Sequence, residues 1–313
     1  MGSLIEFRNL AVVFRMYGMD VTALCGVDLE LKKGEILGIM GESGSGKTVL
    51  LHAALRLLPD NAKVTGHIFY KGVDLLALNK RDAMGIIGKD FSLIPQGFGS
   101  LNPLLRCWLQ ISERSMEHSS IGRKDGYRLA EQMLSETGVV SPSRVARGYR
   151  HELSGGMIQR VLVSMGASGP SEVIFLDEPT KGLDEGKKRL VIELLRMVRG
   201  KSKSMMLVSH DLHLLEEVSD RICVMYCGDI LEISETRSFF KSPKHPYSSS
   251  LIKSLPSNGM VPIEGDAPSM VSPPAGCRFS PRCSESFSDC ASRRPAMFTD
   301  EKTMVRCFKY AYA

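Results

Sequence analysis

The chain has 313 residues, 43% hydrophobic and 24% charged, the balance of an ordinary globular protein, so wholesale disorder is excluded. Its net charge is +5, and ten basic against six acidic residues after Phe240 leave only +1 for the first 240, too dilute a surplus for a nucleic-acid tail, where basic residues cluster. No uncharged apolar stretch approaches the roughly 18 residues of a membrane helix, Glu6 and Arg8 interrupt any signal-peptide core, and MGSLIE lacks the sixth-position Ser or Thr of a myristoylation signal. The expectation is a chain that is cytoplasmic or held to something else.

In chain order, residues 3–14, 27–31 and 66–72 alternate like half-exposed antiparallel strands. EILGIM (35–40) reads as a buried strand, followed by glycines and the helix-like TVLLHAALRLL (48–58). FSLIP (91–95), VIFLD (173–177) and MMLVS (205–209) are apolar runs of the same kind, and EGKKRLVIELLRMVR (185–199) is amphipathic. Such strands alternating with helices imply a parallel sheet covered on both faces. Residues 100–160 lack strong strand signals and read as mostly helical. After Phe240, eight prolines from Pro243 to Pro281 punctuate a segment with little periodicity, read as an extension without a self-sufficient core. There is no internal repeat and no low-complexity tract.

Three separated motifs carry the chemistry. GESGSGKT places Gly41, Glu42, Ser43, Gly44, Ser45 and Gly46 in a loop after a strand, with Lys47, Thr48 and Val49 opening a helix. Loop amides and the helix N-terminus face an anion there, Lys47 would reach the β and γ phosphates of a nucleotide, and the Thr48 hydroxyl would hold Mg²⁺. In VIFLDEP, Asp177 ends an apolar strand, where a carboxylate is costly unless it serves Mg²⁺, and Glu178 is placed to polarise a water. In LSGGMIQR, Ser154, Gly155 and Gly156 precede a helix and offer a second amide cradle. One nucleotide does not need two cradles from one chain, so the second implies a head-to-tail dimer with ATP at the interface. The plainer alternative is a helix start capped by Ser154.

With these motifs in this order, the sequence resembles the ATP-binding cassette (ABC) ATPases over essentially its whole length. The resemblance implies an α/β fold of the P-loop NTPase type, with a RecA-like core, an antiparallel β subdomain, a helical subdomain at about 97–165 and a Pro/Cys-rich extension. The expected division is a nucleotide-binding domain over 1–240 and an extension over 241–313. Residue by residue, Gln96 in LIPQ matches the glutamine that contacts Mg²⁺ and the attacking water, Asp184 in KGLD the D-loop aspartate, and His210 in VSHDL the switch histidine at the γ-phosphate. Lys181 and Gly182 replace the commoner small residues of the D-loop. Tyr17 is the candidate for stacking on adenine, with core packing as its alternative. No catalytic element is missing, so the chain is expected to supply a competent half-site for in-line attack by water.

SLNP (100–103), RHELSGG (150–156) and KHPYSSSLIKSLP (244–256) resemble the peptide/nickel importer branch, similar to dipeptide and oligopeptide permease ATPases. That resemblance implies a second cassette, often non-identical, two membrane subunits, an extracytoplasmic binding protein, and a place on the cytoplasmic face of the membrane. Cys277, Cys283, Cys290 and Cys307, with 5, 6 and 16 residues between them, ask for a metal in a reducing compartment. The branch's similar tails carry a 4Fe–4S cluster, which is favoured over zinc because no Cys-x-x-Cys knuckle is present. Unligated buried cysteines are the remaining alternative. Cys223 and Cys227 in ICVMYCG read as core. A soluble ABC protein of repair, ribosome or iron–sulfur type is the competing class, and an exporter cassette sits badly with the His-Pro-Tyr tail. The cargo is not readable from these residues.

Overall fold

The computed structural model describes residues 2–95, 100–200, 203–255, 258–300 and 302–311. They gather into two compact units, one of residues 1–32, 36–77 and 210–313, the other of 33–35 and 78–209. Among the described residues no helix is long and apolar enough to cross a membrane.

The first unit opens with β1 (Ser3–Met16), β2 (Met19–Lys32), β3 (Ile36–Met40), α1 (Lys47–Ala54), β4 (Ala62–Tyr70) and the short β5 (Val73–Asp74). An antiparallel sheet runs in the order β2-β1-β4-β5. Phe7 of β1 lies opposite Leu29 of β2 and Ile68 of β4, and all three are buried. The period-2 pattern of the sequence thus puts one apolar stripe across three strands. All five residues of β3 are buried. The helix after it is shorter than its apolar run suggests: it ends at Ala54, because Arg56 turns left-handed (φ 51°) and Pro59 follows.

The second unit holds α2 (Lys80–Asp90), β6 (Phe91–Ile94), α3 (Cys107–Ser119), α4 (Arg123–Glu136), α5 (Pro142–Arg147), α6 (Gly155–Ser168), β7 (Val173–Asp177), α7 (Glu185–Arg199) and β8 (Ser204–Val208). Here β6, β7 and β8 are parallel, with Phe91 beside Val173 and Val173 beside Ser204. Every residue of β7 and β8 is buried, which is why both read as unbroken apolar runs. α3, α4, α5 and α6 pack on one another, the mostly helical stretch expected from the sequence. α7 buries Val191, Ile192, Leu194, Leu195 and Val198 at helical spacing and carries Arg196 and Arg199 in its last turn, favourable to its dipole.

The chain then returns to the first unit through α8 (Leu212–Val218), β9 (Arg221–Tyr226), β10 (Asp229–Glu235), α9 (Thr236–Lys241), α10 (Pro246–Lys253), α11 (Ser288–Ser292), β11 (Phe298–Thr299) and β12 (Thr303–Val305). β9 runs parallel to β3, β10 folds back on β9, and β12 pairs with both β10 and β11. Two buried carboxylates fasten the proline-rich segment to this framework. Asp229 receives Arg294 through both oxygens at 2.8 and 2.7 Å and pairs with Arg306 at 3.2 Å. Glu232, fully buried, accepts the backbone N–H groups of Lys244 and His245 at 3.0 and 2.7 Å and the Ser234 hydroxyl at 2.9 Å. A segment with little apolar periodicity is thus held by charge-assisted hydrogen bonds.

Candidate nucleotide-binding site

Gly41 to Gly46 join β3 to α1, and two of these glycines are required by space as well as by conformation. Gly41 has φ 148°, and a Cβ there would lie 2.0 Å from the Met225 carbonyl oxygen; Gly46 has φ 101°, with the Ala23 oxygen 2.6 Å from its Cβ position. Gly46 is also the N-cap of α1, which begins without a side-chain cap, the arrangement in which a helix N-terminus serves an anion. Lys47 is buried, and its Nζ donates to the Gly41 and Glu42 carbonyls at 2.8 Å each and to Ser45 Oγ at 3.3 Å. The amine therefore sits inside the curl of the loop. The Ser45 N–H closes a turn on the Glu42 carbonyl, and the Ser45 carbonyl accepts from Gly228 in the β9–β10 turn. Ser43, Gly44 and Thr48 are exposed; Val49 is half-buried.

Two further candidates lie in the same unit. Tyr17 stands at the tip of the β1–β2 hairpin with φ 51° and is 95% exposed, so its ring packs in no core. His210, exposed, directly precedes Asp211, whose carboxylate caps α8 by accepting the Leu214 N–H.

The second unit carries the acidic and serine motifs. Asp177 is the buried last residue of β7. Glu178 follows in the left-handed region at φ 50°, half-buried, its N–H bonded to the Val208 carbonyl at 2.9 Å. A glutamate held there costs on the order of 1–3 kcal/mol, strain that marks functional turns. Asp184 accepts the Lys187 N–H as the N-cap of α7 and also pairs with the Lys187 amine. The hydrogen bonds from Lys187 hold the Asp184 carboxyl below its usual range. Ser154 caps α6 by accepting the Met157 N–H at 3.4 Å, with Gly155 and Gly156 in the first turn. The capping role weighed for Ser154 is thus realised, and it leaves the glycine amides at the helix start. Gln159 of α6 donates to the Pro179 carbonyl at 2.6 Å, tying the serine–glycine helix to the turn after Glu178. Gln96 lies outside the described residues.

Cys277, Cys283, Cys290 and Cys307 line one cavity of about 130 Å³ together with His245 and Phe308. Burial pushes the Cys277 thiol up to about 12, and the charges of the other three add to the effect. His245 is buried; its Nδ1 accepts the Tyr247 N–H at 3.0 Å, while Nε2 finds no hydrogen-bond partner among the described residues. Burial pushes its pKa down to about 3. Among the described residues no three His, Cys, Asp or Glu side chains are arranged to hold a single metal ion. Cys223 is fully buried in β9, its thiol pushed up to about 12 by burial, and Cys227 is buried beyond the strand end, both consistent with core.

Two residues at the loop escaped the sequence reading. The Tyr247 hydroxyl oxygen accepts the Glu42 N–H at 2.9 Å, and Arg282 pairs with the Glu42 carboxylate at 2.8 Å while donating to the Tyr226 hydroxyl at 3.1 Å. The signals were the His-Pro-Tyr segment itself and an arginine directly before Cys283, but neither says what lies across the fold.

The fold and the glycine loop define a P-loop cassette. Residues 24–181 match the family model described as ABC transporter, and 231–290 match the model of the oligopeptide/dipeptide transporter C-terminal region. The chain is 38% identical to the dipeptide transport ATP-binding protein DppD of Bacillus subtilis, over 90% of this chain and 87% of that one. It is 34% identical to the oligopeptide transport ATP-binding protein OppD of the same organism, over 94% and 85% of the two chains. The ATP-binding cassette MJ0796, solved as a dimer in a post-hydrolysis state with ADP and Pi, superimposes with a TM-score of 0.67 at 23% identity, covering 74% of this chain and 99% of that one. The chain belongs to the ABC transporter family, in the branch whose cassettes carry the oligopeptide/dipeptide C-terminal region. It is an ABC-type ATPase.

Proposed function

We propose that this chain is the ATP-hydrolysing subunit of an importer of di- or oligopeptides. The observation that carries the reading is the union, in one chain, of a phosphate loop with a peptide-transporter C-terminal region that grips it. The matched relatives are named for dipeptide and oligopeptide transport, which favours peptides over nickel as cargo. The chain acts from the cytoplasmic face of the membrane, beneath two membrane subunits fed by an extracytoplasmic binding protein. Leu104 and Val140, 82% and 98% exposed, leave apolar side chains in the helical stretch for a membrane subunit to cover.

In the ATPase cycle, Gly41 to Val49 cradle the phosphates and Lys47 transfers its donors from loop carbonyls to the β and γ phosphates. Tyr17, already clear of the core, stacks on adenine. Thr48, Asp177 and Gln96 supply the hard oxygen donors that suit Mg²⁺, which when bound neutralises charge on the phosphates. Glu178 polarises the attacking water and His210 contacts the γ-phosphate. Ser154, Gly155 and Gly156 serve the nucleotide of a second cassette, with Asp184 at the same junction; the dimeric form of the MJ0796 cassette supports this pairing.

The four cysteines fit a 4Fe–4S cluster better than zinc. They share one cavity and include no Cys-x-x-Cys knuckle of the kind zinc sites commonly use, whereas a four-iron cluster takes four thiolates at separate corners. His245, which lines the same cavity, holds a buried Nε2 without a hydrogen-bond partner among the described residues. When bound, such a cluster crosslinks the proline-rich segment. Iron content and visible absorbance of anaerobically purified protein test this: both are expected in the wild type and absent after Cys283→Ala, and zinc in place of iron would reverse the assignment. The function itself is tested by uptake in cells whose only copy carries Glu178→Gln, offered labelled dipeptide and labelled nickel in parallel. Loss of dipeptide uptake alone is expected; undiminished uptake of both sinks the importer reading.

A further inference from the structure

Glu42 is held from three directions. Its N–H is bonded to the Tyr247 hydroxyl at 2.9 Å, its carboxylate to Arg282 at 2.8 Å, and its carbonyl to Lys47 at 2.8 Å. The last is internal to the loop; the first two come from the C-terminal extension. Both extension groups are themselves fixed. Tyr247 is fully buried, with its ring 4.6 Å from that of Tyr226 and 5.2 Å from that of Phe279. The Arg282 side chain is 6% exposed, and its remaining nitrogens donate to the Glu264 and Ile263 carbonyls at 2.9 and 3.2 Å. Neither group can follow the loop if it moves without breaking several contacts. Upstream, Glu232 fixes the peptide N–H of His245, and His245 Nδ1 accepts from Tyr247, so the tyrosine is anchored at its backbone as well as its ring.

We propose that Tyr247 and Arg282 are positioning residues for the phosphate loop: by holding Glu42, the extension presets the loop and so sets affinity for the polyphosphate of the nucleotide. Pre-organisation raises affinity because the loop's ordering is complete before the ligand arrives. The inference rests on reading Gly41–Thr48 as the phosphate site. It differs from a general stabilising role in one respect: the effect is confined to the phosphates.

The test is a titration of the full-length protein with a fluorescent ATP analogue in the presence of Mg²⁺, with ADP and adenosine measured by displacement. Tyr247→Phe, which keeps the ring and removes only the hydroxyl that accepts the Glu42 N–H, is expected to weaken ATP and ADP about five-fold, the effect of one net hydrogen bond, and to leave adenosine unchanged. Arg282→Lys, which keeps the charge and loses the planar fork, is expected to weaken ATP to a similar degree. Glu42→Gln added to Arg282→Lys is expected to cost much less than Glu42→Gln alone, because the two act through one contact. Lys302→Gln, in an exposed pair with Glu235, serves as the control with unchanged binding. Wild-type ATP affinity in both Tyr247→Phe and Arg282→Lys overturns the proposal, as does an equal loss for ATP and adenosine. Failure of the wild type to bind the analogue overturns the nucleotide-site reading itself.

Discussion

The phosphate loop draws on eight consecutive residues, Gly41 to Thr48, whereas the four-cysteine cavity in the same unit is assembled from residues between His245 and Lys309. The loop's shape is dictated locally: Gly41 and Gly46 adopt positive φ where backbone oxygens leave no room for a Cβ. The cavity's shape is dictated remotely, by Asp229 drawing in Arg294 and Arg306 and by Glu232 gripping the Lys244–His245 backbone. Short-range backbone constraint yields a motif that sequence displays. Long-range charge pairing yields a cavity whose cysteines show in the sequence and whose supports do not.

Four substitutions test that contrast. The largest effect is expected from Gly41→Ala, whose new Cβ meets a backbone oxygen at 2.0 Å. Nucleotide binding should fall more than about 100-fold with a destabilisation of several kcal/mol, and near-normal binding in the same titration would mean the backbone does not dictate the loop. Next comes Asp229→Asn, which leaves two arginines facing a neutral group in a buried setting. About 3 kcal/mol of stability should be lost in denaturant unfolding, with the midpoint shifting more than for any change at the extension's surface. Glu232→Gln ranks below it at about 1–3 kcal/mol, because the amide oxygen can still accept one N–H; a loss equal to that of Asp229→Asn would undo the ranking of ion pair over backbone grip. The smallest effect belongs to Asp184→Asn, since asparagine also caps helices. The Asp184 carboxyl is held below its unfolded value, so its contribution is present above that value and is lost as pH falls through the folded one. The melting-temperature difference between the two proteins should therefore close in strong acid and be constant near neutrality.

Much of this fold was legible. β3, β7 and α7 lie where the apolar runs and the amphipathic stretch placed them, because burial on both faces or on one helical face leaves a periodic trace. α1 stops short at Ala54, since local periodicity continues past the point where Arg56 turns. The pairing of β12 with β10 was not legible: three residues with a central half-exposed methionine carry no strand signature until β10 supplies the partner. Within the candidate site, Asp177 and Glu178 stood out as acids at the end of an apolar strand, but the left-handed backbone of Glu178 could not be read from its residue type. The partners of Glu42 were hidden for a different reason. Tyr247 and Arg282 are separated from it by 205 and 240 residues, and neither a tyrosine nor an arginine announces its partner.

The grip on Glu42 also bears on how such cassettes can be cut and recombined. A chain truncated after β10 would retain every residue of the three nucleotide motifs yet leave a loop amide and a carboxylate without the partners that fix them. A hybrid joining this loop to a foreign tail would inherit the same defect unless the tail brought its own hydroxyl and guanidinium. Residue 42 and the extension therefore form one transplantable module, to be exchanged together or not at all.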